Sequence, residues 1–255
     1  MKKLLFVLFA LVGGALFVVV GAFVSNMLSK PRLASLIEVA ENNDVAEARR
    51  LIKSGADVNE KDDNGVTALM YATIYNSNGV VKLLIKSGAD VNAKDDYGHT
   101  ALRWSAVRNS AGVAKLLIEA GADIDAKDNY GETALMRSAV YNSAGVAKLL
   151  IEAGADINAR NKVGDTPLIY ASGRGTSDVV KLLVEAGANL NDKNDAGETA
   201  LMVAALINSA DTARVLIEAG ADMNAKSKTG WTALMIASHE NAKDVERLLK
   251  AAGAR

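Results

Sequence analysis

The chain has no cysteine, and its 255 residues include only two prolines, two histidines and twelve aromatics. Without cysteine there is no disulfide, no thiol nucleophile, no bacterial lipoprotein anchor and no cysteine-ligated zinc finger. The redox state of the compartment stays open. Charge of either sign is also lacking in excess: 29 basic groups face 30 acidic ones, a net of −1. A nucleic-acid protein ordinarily carries a basic surplus, so the balance argues against that class. The length suits one large domain or two small ones, at roughly 100–200 residues each.

These averages conceal a split. All four phenylalanines (Phe6, Phe9, Phe17, Phe23) fall in the first 24 residues, and no acidic residue precedes Glu38. Removing Lys2, Lys3, Lys30 and Arg32 leaves 25 basic against 30 acidic groups in residues 34–255, a net of −5. Lys2 and Lys3 lead into an uncharged run from Leu4 to Val24, 21 residues long. As a helix it would measure about 31 Å, and a bilayer's hydrocarbon core is about 30 Å thick. Residues 1–24 are therefore expected to be a signal anchor or transmembrane helix. The alternative is a cleaved signal peptide, with Val20-Gly21-Ala22 as the small-residue site. Both readings carry the rest of the chain across a membrane. Two basic side chains flank each end of the run, so the positive-inside rule says little here. Residues 25–33, with Pro31, read as a stalk.

From residue 34 onward the chain repeats itself every 33 residues. Glycine recurs at 55, 88, 121, 154, 187, 220 and 253, and threonine at 67, 100, 133, 166, 199 and 232. A second glycine precedes each of these threonines by two. Two ladders without slippage signal a solenoid. In residues 67–99, Thr67 is placed to cap a first helix carrying Leu69, Met70 and Ala72. Asn76-Ser77 break it, asparagine being tolerant of left-handed geometry. A second helix carries Val80, Val81, Leu83, Leu84 and Ile85, and Gly88 ends it.

The segments Gly65-Val66-Thr67-Ala68-Leu69-Met70 and Gly88-Ala89-Asp90-Val91-Asn92-Ala93 resemble the ankyrin repeat, with its T-P-L-H and G-A-D-V-N signatures. The resemblance covers residues 34–255 in seven units: 34–66, 67–99, 100–132, 133–165, 166–198, 199–231 and 232–255. It implies an all-α repeat, a solenoid of stacked helix–turn–helix and β-hairpin units. The family's proline survives only at Pro167. Its histidine is replaced by Met70, Arg103, Met136, Ile169, Met202 and Met235, and its Gly-His turn by Asn-Ser at 76, 109, 142 and 208. This wording looks like a bacterial type of ankyrin. The end units depart in opposite ways. Glu47 and Arg50 stand where later units have apolar residues, and Glu246 and Lys250 do the same in the last unit. Terminal repeats need polar outer faces.

Catalytic motifs are missing. There is no HExxH, no P-loop and no Cys/His cluster. Gly173-Arg174-Gly175 lacks the strand-then-helix context of a phosphate loop. His99 and His239 are four units apart, some 30–40 Å at 8–10 Å per packed helix, and cannot share a site. The basic ladder Arg49, Lys82, Lys115, Lys148, Lys181, Arg214 and Arg247 is matched at Glu119, Glu152, Glu185 and Glu218, four residues after a basic member. It reads as a solubilised helix face.

Eight aromatics remain in the repeats, none on a second helix. Tyr71, Trp104 and Tyr170 share one position on the first helix, and Tyr75 and Tyr141 share another near its end. Tyr97 and Tyr130 share the hairpin position before the glycine, and Trp231 follows it. The resemblance implies that hairpin tips and first helices form a concave groove that grips partners. Aromatics and arginine are enriched at binding hot spots. The same positions add His99, Arg108, Glu132, Asp165, Arg174 and Glu198. The aromatics concentrate between residues 71 and 170, which places the expected partner on the second to fifth units.

The expectation is thus a binding module without catalytic activity or cofactor, gripping a partner protein in the groove. Resemblance to small exported bacterial ankyrins suggests an enzyme that it inhibits, protects or supports. Neither nucleic acid nor a small-molecule substrate is expected. Residues 4–24 would hold the repeats on the periplasmic side of a bacterial inner membrane, or release them into the periplasm or beyond after cleavage. The alternative is a scaffold that self-associates or meets lipid through its outer helices.

Overall fold

Threonine opens the first helix of six consecutive repeats. The side chains of Thr67, Thr100, Thr133, Thr166, Thr199 and Thr232 each accept a hydrogen bond from the backbone N–H three residues on, at 3.2–3.4 Å. Each threonine is extended, as a cap must be. The structure, a computed structural model, describes residues 35–254. The leader expected at 1–24 and the stalk at 25–33 lie outside the described residues. Among the described residues, no helix is long and apolar enough to cross a membrane.

Fourteen helices follow one another among the described residues. They pair as α1 (Leu36–Glu41) with α2 (Val45–Lys53), α3 (Ala68–Ile74) with α4 (Asn78–Lys86), and α5 (Ala101–Val107) with α6 (Ala111–Glu119). Next come α7 (Ala134–Val140) with α8 (Ala144–Glu152), and α9 (Pro167–Arg174) with α10 (Ser177–Glu185). The last pairs are α11 (Ala200–Leu206) with α12 (Ala210–Glu218), and α13 (Ala233–His239) with α14 (Lys243–Ala251). Between the helices of a pair, Asn43, Asn76, Asn109, Asn142, Asn208 and Asn241 adopt φ of 51–57°, and Gly175 takes the same place. At the end of α4, Gly88 has φ of 89°, the left-handed geometry that stops a helix.

First helices pack on first helices, second on second, and each first helix on its own partner. The core is a ladder of side chains. Leu84, Leu117, Leu150, Leu183, Leu216 and Leu249 are fully buried, as is the alanine series Ala72, Ala171, Ala204 and Ala237 on the facing first helices. Small residues bring the helices close and the leucines fill what remains. Burying one leucine contributes about 1.5–3 kcal/mol. Met70, Met136 and Met202 are buried in the same stack, whereas Met235, in the seventh unit, is half exposed.

The expected β-hairpins are absent among the described residues, where one isolated antiparallel bridge, Lys61 to Thr67, is all the strand pairing present. A side chain takes the place of the ladder. Asp95 Oδ1 accepts from the N–H groups of Tyr97 and His99, at 2.9 and 2.8 Å. Asp62, Asp128, Asn161 and Asn194 serve their own loops likewise. Each loop is thereby wound into a tight Asx turn. Successive loops then join edge to edge. Asp96 N–H donates to Asn64 O and Asn129 N–H to Tyr97 O, both at 3.0 Å, and the pattern continues to Lys228 and Ala196. A Cβ on Gly98 would lie 3.0 Å from the backbone N of Asn129, so this joint admits no side chain.

Two further ladders bind unit to unit. Asn59 Oδ1 accepts from Asp90 N–H at 2.8 Å, and Asn92, Asp125, Asn158 and Asn191 repeat the bond. Lys61 Nζ donates to Lys94 O at 2.9 Å, and Lys94, Lys127 and Lys193 do the same one unit on. The ends close with ion pairs: Glu47 with Arg50 at one and Glu246 with Lys250, at 2.6 Å, at the other.

Candidate functional site

The second polar atom of each loop Asp or Asn bonds to a first helix or to the residue before its cap, and its partner differs from unit to unit. Asp62 Oδ2 accepts from the hydroxyl of Tyr71 at 2.8 Å. Asp95 Oδ2 meets His99 Nδ1 at 3.0 Å. Asp128 Oδ2 accepts from Arg103 Nε at 3.1 Å. Asn161 Nδ2 donates to the Tyr170 hydroxyl at 3.3 Å, and Asn194 Nδ2 to Asp165 Oδ1 at 2.9 Å. Four of the candidate residues, Tyr71, His99, Tyr170 and Asp165, are thus engaged by the loop Asp and Asn side chains.

The densest part is a buried charged cluster spanning the third to fifth units. Arg103 and Asp128 form a buried pair, with Glu132 Oε2 3.8 Å from Arg103. Glu132 is itself buried, paired with Arg137 and accepting a hydrogen bond from the Tyr170 hydroxyl. His99 lies over the cluster, stacked on Tyr97 at 5.6 Å and edge-on to Trp104 at 5.4 Å. Burial lowers the pKa of Arg103 to about 10, against the pull of Asp128 and Glu132. Burial raises Tyr71 and Tyr170 well above the usual tyrosine range, and the carboxylates they donate to raise them further. Burial would also raise Asp95, but bonds from the His99 ring and from the backbone of His99 and Tyr97 outweigh it and hold Asp95 below its usual range. Asp165 moves upward, chiefly through burial.

The aromatics on the first helices therefore divide. Tyr71 is only 4% exposed and Glu132 6%, so both support the face rather than presenting themselves. Trp104, Tyr170, His99 and Asp165 are half-buried. Tyr75, Tyr97, Tyr130, Tyr141 and Trp231 are exposed, as are Arg108 and Arg174. Tyr75, Arg108, Tyr141 and Arg174 occupy one position in four successive units, at the ends of the first helices. Arg108 is steadied there, its Nε donating to Ile74 O at 2.8 Å. Beyond them the face turns apolar. Leu206, Ile207 and Trp231 are exposed, and a shallow cavity of about 240 Å³ is lined by Glu198, Met202, Leu206, Trp231, Ile236 and His239. Trp231 stands edge-on to His239 at 5.1 Å. Ile207 continues the Tyr75–Arg174 row one unit on, so the exposed row runs into this apolar part of the face.

Arg103, Arg137, Asp95 and Asp128 were not among the candidate residues drawn from the sequence. The available signals were Arg103, in a column otherwise filled by methionine and isoleucine, and Arg137, in one otherwise filled by Tyr71, Trp104, Tyr170, Val203 and Ile236. On the outer face, Lys115–Glu119 and Lys148–Glu152 pair at 3.9 Å, as their spacing predicts, while Arg214 turns back to Asp211 at 3.2 Å.

Fold and face together define a stacked helical repeat protein with loop tips along one side. A family model described as ankyrin repeats in three copies matches overlapping stretches, 36–128, 96–161, 110–194, 159–227 and 191–255. The chain belongs to the ankyrin-repeat family, a protein–protein interaction module. The crystal structure of the human ASB11 ankyrin repeat domain superposes with a TM-score of 0.79, over 88% of this chain and 99% of that one, at 24% identity. That likeness concerns the fold alone. A stretch of 50 residues is 48% identical to the human mitochondrial disaggregase, covering 20% of this chain and 7% of that protein.

Proposed function

We propose that the chain is a non-enzymatic binding protein that grips a partner protein with its first helices and loop tips. The observation that supports this most directly is the exposed row Tyr75, Arg108, Tyr141 and Arg174. Exposed tyrosine alternating with arginine is a poor design for a plain solvated face and a common composition of binding hot spots. Replacing Tyr75, Arg108 and Tyr141 together with alanine is expected to abolish co-purification of the partner, with helical circular dichroism unchanged. Unaltered capture by a folded variant would overturn the reading.

The site of action follows from the leader. Residues 4–24 either anchor the repeats at the outer side of a bacterial inner membrane or export them and are removed. The mass of the mature protein separates these: loss of about the first 22 residues means a cleaved signal. A protein recovered at full mass from the soluble cell interior would contradict both.

A further inference from the structure

We propose that the partner segment held by the second to fifth units is acidic, with carboxylates set to meet Arg108 and Arg174. This rests on the groove reading above and adds the chemistry of the ligand. Three observations carry it. First, Arg108 and Arg174 are exposed, and neither forms an ion pair among the described residues. The other inner-face arginines, Arg103 and Arg137, are consumed by Asp128 and Glu132. Second, the repeats carry a net of −5, so two unmatched cations on this row run against the charge of the domain. An acidic segment meets two fixed charges there that the protein itself leaves uncompensated. Third, Arg108 is braced through Nε to the carbonyl of Ile74. The brace leaves the terminal nitrogens to bind a carboxylate and lowers the ordering cost of doing so.

The geometry also sets a spacing. Arg108 and Arg174 stand two units apart, roughly 16–20 Å at 8–10 Å per packed helix. An extended chain rises about 3.3 Å per residue. Two carboxylates about five or six residues apart thus reach both arginines. Apolar side chains between them lie over Tyr141, and Tyr75 receives the residues beyond.

The test uses the full chain in detergent and a fluorescein-labelled peptide, Glu-Ser-Leu-Ser-Leu-Ser-Glu, read by fluorescence anisotropy at physiological salt. Counterparts carry glutamine or lysine in place of glutamate, or place the two glutamates side by side. The acidic peptide is expected to bind at least tenfold more tightly than the glutamine or lysine peptide, and severalfold more tightly than the adjacent-glutamate one. Charge reversal by Arg108→Glu with Arg174→Glu is expected to remove that preference. Lys82→Glu with Lys181→Glu changes the total charge equally on the outer helices and is expected to alter binding less than twofold. Equal losses from the two double variants, or no preference for the acidic peptide, overturn the proposal. Thermal melts of both variants confirm that they fold. Should native-partner capture still depend on Tyr75 and Tyr141 while the acidic preference is missing, the groove reading stands and the acidic partner falls.

Discussion

At one position in successive repeats the chain places Met70, Arg103, Met136, Ile169 and Met202, and the loop residue 25 positions on is Asp95, Asp128, Asn161, Asn194 and Ser227. Arg103 faces Asp128, whereas the loop one unit further on, opposite Met136, offers Asn161. Met136 and the Arg103–Asp128 pair are buried and Asn161 is half-buried, and both arrangements belong to the same stack. The apolar version needs only volume. The charged version needs a carboxylate in the next unit, and Glu132, Arg137 and Tyr170 are drawn in to balance what Arg103 and Asp128 leave over. A repeat interface can thus hold methionine or arginine on the same backbone, provided the loop carboxylate finds a partner, Arg103 for Asp128 and His99 for Asp95. Replacing a buried pair by apolar residues is often neutral, while removing one member is costly.

The largest effects should come from breaking that correspondence. Met136→Arg puts a charge opposite Asn161 and is expected to lower stability by about 3–5 kcal/mol, read from the denaturant midpoint. Adding Asn161→Asp should recover much of the loss. If the double variant is no better than the single one, the loop does not supply the counter-charge. Arg103→Met should likewise destabilise by about 3 kcal/mol, and combining it with Asp128→Asn should bring the interface close to its Met136–Asn161 neighbour.

Interior and terminal units offer the next comparison. Leu150 and Leu249 are both fully buried, but Leu249 lies in the last unit, where the surroundings can relax into the space left behind. Leu150→Ala is expected to cost about 2–5 kcal/mol, with Leu249→Ala in the lower part of that range. Equal losses would mean that the last unit is as constrained as the middle. A smaller change follows at the caps: Thr133→Ala should cost about 1 kcal/mol, visible as a small drop in melting temperature.

The smallest effect is the acid response. Asp95 has a folded pKa below its unfolded value. The stability it contributes is therefore present above the ordinary carboxylate range and lost as pH falls through the lower folded value. Asp165, whose pKa is raised, gains on acidification and opposes the loss. Asp95→Asn should flatten the decline of melting temperature at acid pH, and Asp165→Asn should steepen it. A profile unchanged by Asp95→Asn would show that the His99 contact carries no linkage.

Much of this was readable because the signals are local. Thr67 caps a helix three residues away, Asn76 turns the chain within its own unit, and a period of 33 repeats both. The loops do not form the hairpins that the resemblance implies, because side chains such as Asp95 take the amide bonds a ladder would use. The site was only partly legible. Tyr71 and Tyr75 lie on the same side of one helix, yet Tyr71 is buried against Asp62 and Tyr75, one turn further on at the helix's C-cap, is exposed.

By itself, then, the sequence determined the repeat, its caps and the column in which each residue stands, because those depend on neighbours within one turn or one loop. Only the tertiary structure decided which members of a column are spent on the protein and which remain for a partner. Arg103 meets Asp128 across 25 residues and Tyr170 meets Glu132 across 38, distances closed only when one unit stacks on the next. Arg108 and Arg174 are left over by that same stacking.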